Sequence, residues 1–183
     1  MSPGTITTQD KGFEIKSMPM ADLVNSIKRA LVIKQNKMQE FGINIKNVEL
    51  TIKTVAIADG GTNISLQIPI LGKLLLGSKI SEKSLQTTTL TLVPSKNVKF
   101  EKDIELNSLE ETIIQSISSI VEGVKTANKE DSAPMELDDA SFTFNFILSE
   151  DTTISMIIET GIESELSNTL KINFEKEKKL INL

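Results

Sequence analysis

Few of the residue types that usually carry out catalysis occur in this 183-residue sequence, because histidine and cysteine are both missing. Their absence excludes a Ser-His-Asp triad, a thiol nucleophile, and a zinc or iron–sulfur site built from the usual ligands. It also excludes disulfide bonds, so nothing indicates an oxidising compartment. Serine, lysine and carboxylate side chains remain, and these residue types can support Ser-Lys or paired-carboxylate catalysis.

The placement of those residues does not favour catalysis. The carboxylates fall in expected turns and charged loops, with no apolar setting that would raise the pKa of one of them. No S-x-x-K motif occurs where a strand is expected to meet a helix. The acidic group from Glu130 to Asp139 lacks the ligand order and central glycine of an EF-hand, so we interpret it as a solvated loop. We therefore expect no enzyme activity, no catalytic residue, no cofactor and no metal site.

Two glycine-containing segments have some features of anion sites. Residues 72–79, GKLLLGSK, approach a phosphate-binding loop, but the final Lys-Ser pair is reversed and a strand rather than a helix is expected to follow. Residues 59–61, DGG, are explained more simply as a hairpin turn. The loop leucines have two interpretations: they fold back onto the core, or they form an apolar patch for a partner. These leucines are Leu71, Leu74, Leu75 and Leu76.

Positive charge is concentrated on the first expected helix, at Lys28, Arg29, Lys34 and Lys37. This pattern is consistent with a solvated face, with docking on an acidic protein surface, or with nucleic-acid binding. Nucleic acid is the least expected of these partners, because the segment has one arginine and few aromatic side chains for stacking. Our hypothetical partner-binding residues are Lys28, Arg29, Leu74, Leu75 and Leu76.

The two halves of the chain carry opposite net charge. Residues 1–100 contain 13 basic and 7 acidic side chains, a net of +6, whereas residues 101–183 contain 7 basic and 18 acidic, a net of -11. This asymmetry indicates two units with different surfaces. We expect these units to pack as an intrachain pair or to support a homo-oligomer, with an association that weakens as salt rises.

Apolar periodicity predicts an α+β fold made of two tandem α-β-β-β units, each a helix packed on a small antiparallel sheet. The expected boundaries are 1–95 for the basic first unit, 96–107 for a linker, and 108–183 for the acidic second unit. The first helix is indicated by Met20, Leu23, Val24, Ile27, Leu31 and Met38, and the second by Leu109, Ile113, Ile117, Val121 and Val124. Ser108 and Glu111 have the spacing of a capping box at the start of the second helix.

Three segments of the first unit resemble the trypsin-co-occurring domains of bacteria. They read ADLVNSIKRAL, NVELTIKTVAIADGGTNISLQIPILG and SLQTTTLTLVPS, and the resemblance covers residues 20–95. Residues 108–175 are similar to the same plan more loosely and suggest a second, diverged copy. The resemblance implies a small α+β domain in a conflict system, encoded beside a trypsin-like protease and often an NTPase. It implies no catalytic residues.

These observations lead to one expected function and two alternatives. We expect a non-catalytic adaptor of a bacterial antiphage defence system that contacts a trypsin-like protease, an NTPase or an effector. In a variant of this role the chain is the protease's substrate, cut at Lys125 or Lys129. The other alternative is a nucleic-acid or nucleotide-sensing module that uses the basic first unit. Because no secretory signal and no run of about 20 apolar residues is present, we expect a cytoplasmic location and no membrane partner.

Overall fold

The computed structural model describes residues 4–7, 14–58, 63–71, 85–95, 105–129, 137–151, 153–156 and 165–177. Within these ranges the chain forms two helices and eight strands, so the α+β class is confirmed. The elements, in chain order, are β1 Gly4–Thr7, β2 Glu14–Pro19, α1 Met20–Gln39, β3 Ile43–Ala58, β4 Ile64–Leu71, β5 Leu85–Leu92, α2 Ser108–Ala127, β6 Asp139–Ser149, β7 Ile154–Ser155 and β8 Asn168–Lys176.

Local sequence signals set the ends of both helices. Pro19 precedes α1, and α1 is followed by Gly42, whose φ of 69° lies in the left-handed region that glycine adopts without strain. The capping box of α2 lies one residue earlier than the sequence predicts. Asn107, not Ser108, accepts a hydrogen bond from the Glu110 backbone N–H, and the Glu110 carboxylate accepts one from the Asn107 N–H. Asparagine is as good an N-cap as serine, so spacing alone could not separate the two boxes.

The longest strand, β3, organises the sheet. Residues 48–51 of β3 pair with both β5 and β8, which therefore lie on opposite edges of β3, and residues 55–58 pair with β4. Further strands extend the sheet on the β8 side, since β8 also pairs with β6, and β6 pairs with both β4 and β7. On the edge of β4 opposite β3, β2 and then β1 complete the order.

Two separate small sheets are not confirmed by this topology. Strand β8, from the second half of the chain, lies between β3 of the first half and β6, in one shared sheet. The order of pairing is nevertheless the same in each half. The first strand after the helix pairs with the two strands that follow it: β3 with β4 and β5, and β6 with β7 and β8. The halves are therefore joined side by side through β3 and β8.

Both helices lie on one face of the sheet and pack against each other. The helices run in the same direction, because the residue numbers of both partners increase together from one contact to the next. These contacts are Arg29 with Glu110, Lys34 with Ser118, and Phe41 with Asn128. Alternate strand residues face this layer and form one core with it. Its members from β3, β6 and β8 include Val48, Leu50, Ile52, Phe144, Phe146, Leu170, Ile172 and Phe174. The opposite face of the sheet is polar, with hydrogen-bonded rows such as Thr51 with Thr89 and Thr169 with Asn145.

Candidate interaction surface

A groove of about 570 Å³ lies between α1 and the carboxyl end of β5. We call it the β5 groove. Its volume falls within the range of about 300–1,000 Å³ that is typical of ligand pockets. Its lining is mixed apolar and polar, and consists of Lys28, Leu31, Val32, Gln35, Asn36, Gln39, Ile45, Val48, Thr91, Leu92, Val93, Pro94 and Ser95.

The groove exists because β5 ends before it reaches the first residues of β3. The last β5 pair is Leu92 with Val48, so residues 43–47 of β3 have no β5 partner. Gln35 of α1 takes the place of a strand there: its Oε1 accepts a hydrogen bond of 2.7 Å from the Ile45 backbone N–H. Its Nε2 donates to Asn44 Oδ1 at 3.1 Å. The α1 side chain thus satisfies a backbone donor that the short neighbouring strand leaves open.

Beside the groove, β5 has an edge that is unprotected within the described part of the chain. Among the described strands β5 pairs with β3 alone, over eight consecutive residues with no bulge in their register. Residues 84–95 contain no charged side chain, and the strand has no internal proline. Val93, directly after the strand, is 73% exposed. Natural edge strands usually carry lysines, prolines or bulges that prevent pairing with another chain, and β5 has none of these.

The structure separates Lys28 and Arg29, the two basic residues singled out from the sequence. Lys28 is exposed and lines the β5 groove. Arg29 points toward α2, where its guanidinium lies 3.2 Å from the carboxylate of the buried Glu110 and donates to the Glu105 carbonyl at 3.1 Å. The positive charge of α1 is therefore not one continuous surface, because part of it joins the two halves of the chain.

Lys34, also basic in sequence, is buried between the helices. Only 7% of it is exposed, and its ammonium donates a 2.6 Å hydrogen bond to Ser118 Oγ. Burial lowers the pKa of Lys34, nearby Lys37 lowers it further, and Glu122 acts in the opposite direction. The pair superficially resembles a Ser-Lys dyad, but the Ser118 hydroxyl donates its proton to the Ile114 carbonyl at 2.7 Å. A serine in this arrangement is not activated by the lysine, so we interpret the contact as structural.

The lowered pKa of Lys34 gives a stability prediction with a definite sign. In the unfolded chain Lys34 titrates near 10.5, so the unfolded state holds this proton more tightly than the folded state. The charged form therefore costs stability at neutral pH, and this cost falls as the pH rises through the folded-state pKa toward 10.5. We expect the free energy of unfolding of the wild type to rise relative to that of Lys34→Met between pH 7 and that limit. Urea titrations at several pH values measure it, and a constant or falling difference contradicts it.

The remaining predicted site residues fall in two places. Leu74, Leu75 and Leu76 lie outside the described residues. Lys125 belongs to the last turn of α2, where its ammonium lies 4.1 Å from the centroid of the Phe41 ring and 3.9 Å from Glu122. Lys129 is exposed and follows the end of α2. The two proposed cleavage positions therefore differ sharply in their contacts.

No group of three or more acidic side chains that could hold a metal ion occurs in the described ranges. Likewise, neither described helix is long and apolar enough to cross a bilayer. Of the residues that line the β5 groove, Lys28 alone was expected from the sequence to bind a partner. The signal for the groove was present in the uncharged run from Ser84 to Ser95, which is unusual for a strand at the edge of a sheet.

Comparison with known proteins connects this surface with a family. Neither the curated proteins nor the solved structures include a significant match to the chain. A second copy of the domain is not shown either. All residues that line the β5 groove except Ser95 lie within the one segment that does match. That segment, residues 18–94, matches the family model of trypsin-co-occurring domain 2.

Proposed function

We propose that this protein is a non-catalytic interaction module that binds a trypsin-like protease through the β5 groove and the adjoining edge of β5. The observation that carries the proposal is the position of this surface on the matched segment. One edge of the segment's sheet, at β3, is paired with the protein's own β8, whereas the β5 edge pairs with no described strand. The family description indicates co-occurrence with trypsin. The resemblance also favours a bacterial defence system as the setting.

The residues support a binding role better than a catalytic one. Histidine and cysteine are absent from the whole sequence. The Lys34–Ser118 contact is buried between two helices, where the serine proton is already donated. A nucleic-acid role is weakened as well, because Arg29 and Lys34 contact α2 instead of forming a continuous basic surface.

The substrate variant of this role makes a separate prediction about proteolysis. A protease must hold its substrate in an extended form, so a lysine within a helix is cut only after local unfolding. Lys125 is held in α2 by its contacts with Phe41 and Glu122, whereas Lys129 lies beyond the helix. We expect a lysine-specific protease to cut after Lys129 at least about tenfold faster than after Lys125. Mass spectrometry of a time course measures this, and initial cleavage after Lys125 contradicts it.

The binding role is tested with the co-occurring trypsin-like protease, its nucleophilic serine replaced by alanine so that binding is separated from cleavage. Calorimetric titration of the wild-type chain should give a saturable complex. Val93→Lys should weaken it at least about tenfold, because it places a charge at the end of the uncharged β5 edge, next to the apolar side chains of the groove. Ile64→Lys is the matched control: Ile64 is 71% exposed against 73% for Val93, and it does not line the groove. The absence of a complex with wild type rejects the role. Equal loss with both variants rejects the assigned surface.

A further inference from the structure

We infer that the protease partner binds in an extended conformation, as an additional strand antiparallel to β5, with an apolar side chain placed in the β5 groove. This inference rests on the proposed function and specifies the chemistry of the segment that the surface accepts. Strand addition to an exposed sheet edge is a recurrent mode of peptide recognition, in which backbone hydrogen bonds provide affinity and side-chain pockets provide specificity.

The β5 edge has the length and shape that strand addition requires. Its eight residues pair with β3 in an uninterrupted register, so the outer edge is regular over the same length. In an antiparallel strand, alternate residues direct their backbone N–H and C=O groups to the outer edge, which leaves about half of the β5 amides for an added strand. No lysine, proline or bulge within β5 blocks that approach.

The opposite edge of the same half shows what an added strand looks like. There β8 pairs antiparallel with residues 43–51 of β3, and α2 packs beside α1. Alternate β8 residues Leu170, Ile172 and Phe174 are buried under the helices. The residues between them face the polar side of the sheet, where Lys171 and Asn173 bond Glu49. This half of the protein therefore already accepts one extended segment of alternating polarity.

The residues around the β5 groove define the chemistry of the expected segment. Leu90 and Leu92 face the helix layer, so the segment should carry apolar side chains at alternate positions on that side. One of these enters the groove beside Val32. On the polar side the β5 neighbours are threonines, including Thr87 and Thr89, which suit small polar side chains. Exposed Lys28 at the groove favours a carboxylate at the corresponding end of the segment.

Hydrogen exchange separates strand addition from contact through side chains alone. The probe is the serine-to-alanine variant of the trypsin-like protease, added to the 183-residue chain, with amide exchange followed across residues 85–92. We expect the outward amides of β5, about half of its total, to slow by about tenfold or more in the complex. Under the same conditions Val93→Lys should lose this protection, and Ile64→Lys should keep it.

Each outcome of this experiment bears on a different statement. A complex that forms without new protection in β5 overturns strand addition and leaves the binding role intact. The absence of any complex rejects the proposed function itself. Protection of the β5 edge in the chain alone, together with a dimer mass by light scattering, identifies a second copy as the occupant and overturns the assignment to the protease. Protection in the complex only, lost with Val93→Lys, supports the inference.

Discussion

Replacing Ile172 with aspartate is expected to unfold both halves of the protein together, although Ile172 lies outside the segment that matches the family. Ile172 is fully buried, and it pairs with Val48 of the first half on one side and with Phe142 of the second half on the other. A carboxylate there has no charged partner and must be desolvated, which we expect to cost at least about 4 kcal/mol. Total stabilities are typically about 5–15 kcal/mol, so both halves should unfold in one transition at a much lower urea concentration than in the wild type.

The matched control is the neighbouring residue on the polar face of β8. Lys171 is 40% exposed and lies 3.2 Å from Glu49, and Lys171→Ala should change the free energy of unfolding by no more than about 1 kcal/mol. Circular dichroism during urea unfolding measures both variants. An Ile172→Asp protein that keeps a folded first half, with a separate second transition, would contradict the shared core.

Separate expression of residues 1–98 and 99–183 is expected to give two fragments that are unstable alone and associate when mixed. Each fragment would expose one side of the β3–β8 ladder and part of the apolar core. The structure predicts a weaker salt dependence of this association than the charge asymmetry suggests. Ion pairs between the halves include Arg29 with Glu110 and Lys171 with Glu49, whereas the core and most of the eight β3–β8 register pairs are not ionic.

The affinity of the two fragments should therefore fall by less than about tenfold between low salt and about 1 M salt, where charge interactions reach only about 3 Å. Arg29→Met provides a control that removes the ion pair with the buried Glu110 and most of the remaining salt dependence. Analytical ultracentrifugation of the mixed fragments measures the association. Complete dissociation in high salt would show that charge, rather than the shared sheet, holds the halves together.

The individual elements could be predicted from the sequence because their causes are local. The apolar residues from Met20 to Met38 repeat with the helical period, and the strand residues of β3, β5, β6 and β8 alternate as a half-buried sheet requires. The end of the first helix is also set locally, because Gly42 follows it with a positive φ that glycine adopts without strain. The predicted position of the α2 capping box was wrong by one residue, because two overlapping residue pairs have the same spacing.

The shared sheet could not be predicted, because alternation shows which face of a strand is buried but not which strand lies beside it. Asn168 illustrates the missing information. It is 1% exposed at the start of β8, where its Oδ1 accepts a hydrogen bond from the Lys53 N–H at 2.9 Å. Its Nδ2 lies 3.5 Å from the Phe146 carbonyl. One side chain thus bridges strands from both halves, and nothing in the neighbouring sequence indicates those partners.

The β5 groove was missed for a related reason. Its position depends on where β5 stops relative to β3, and on Gln35 reaching the Ile45 N–H across the helix–sheet boundary. Sequence patterns placed Lys28 and Arg29 together by proximity along the helix, yet the two side chains face different neighbours. Residues four apart share a helix face, whereas adjacent residues do not. Charged residues that are adjacent in the sequence of a helix therefore need not form one charged surface.

The central structural claim is that β8 closes the β3 edge of the matched segment and leaves β5 at the other edge. Backbone NOEs between β3 and β8 in the intact 183-residue chain test this claim most directly. We predict contacts across the register pairs Leu50 with Leu170 and Val48 with Ile172, and no NOEs from the outer edge of β5 to other described strands. If β3 shows no NOEs to β8, the halves form separate sheets, and the assignment of β5 as the docking edge loses its basis.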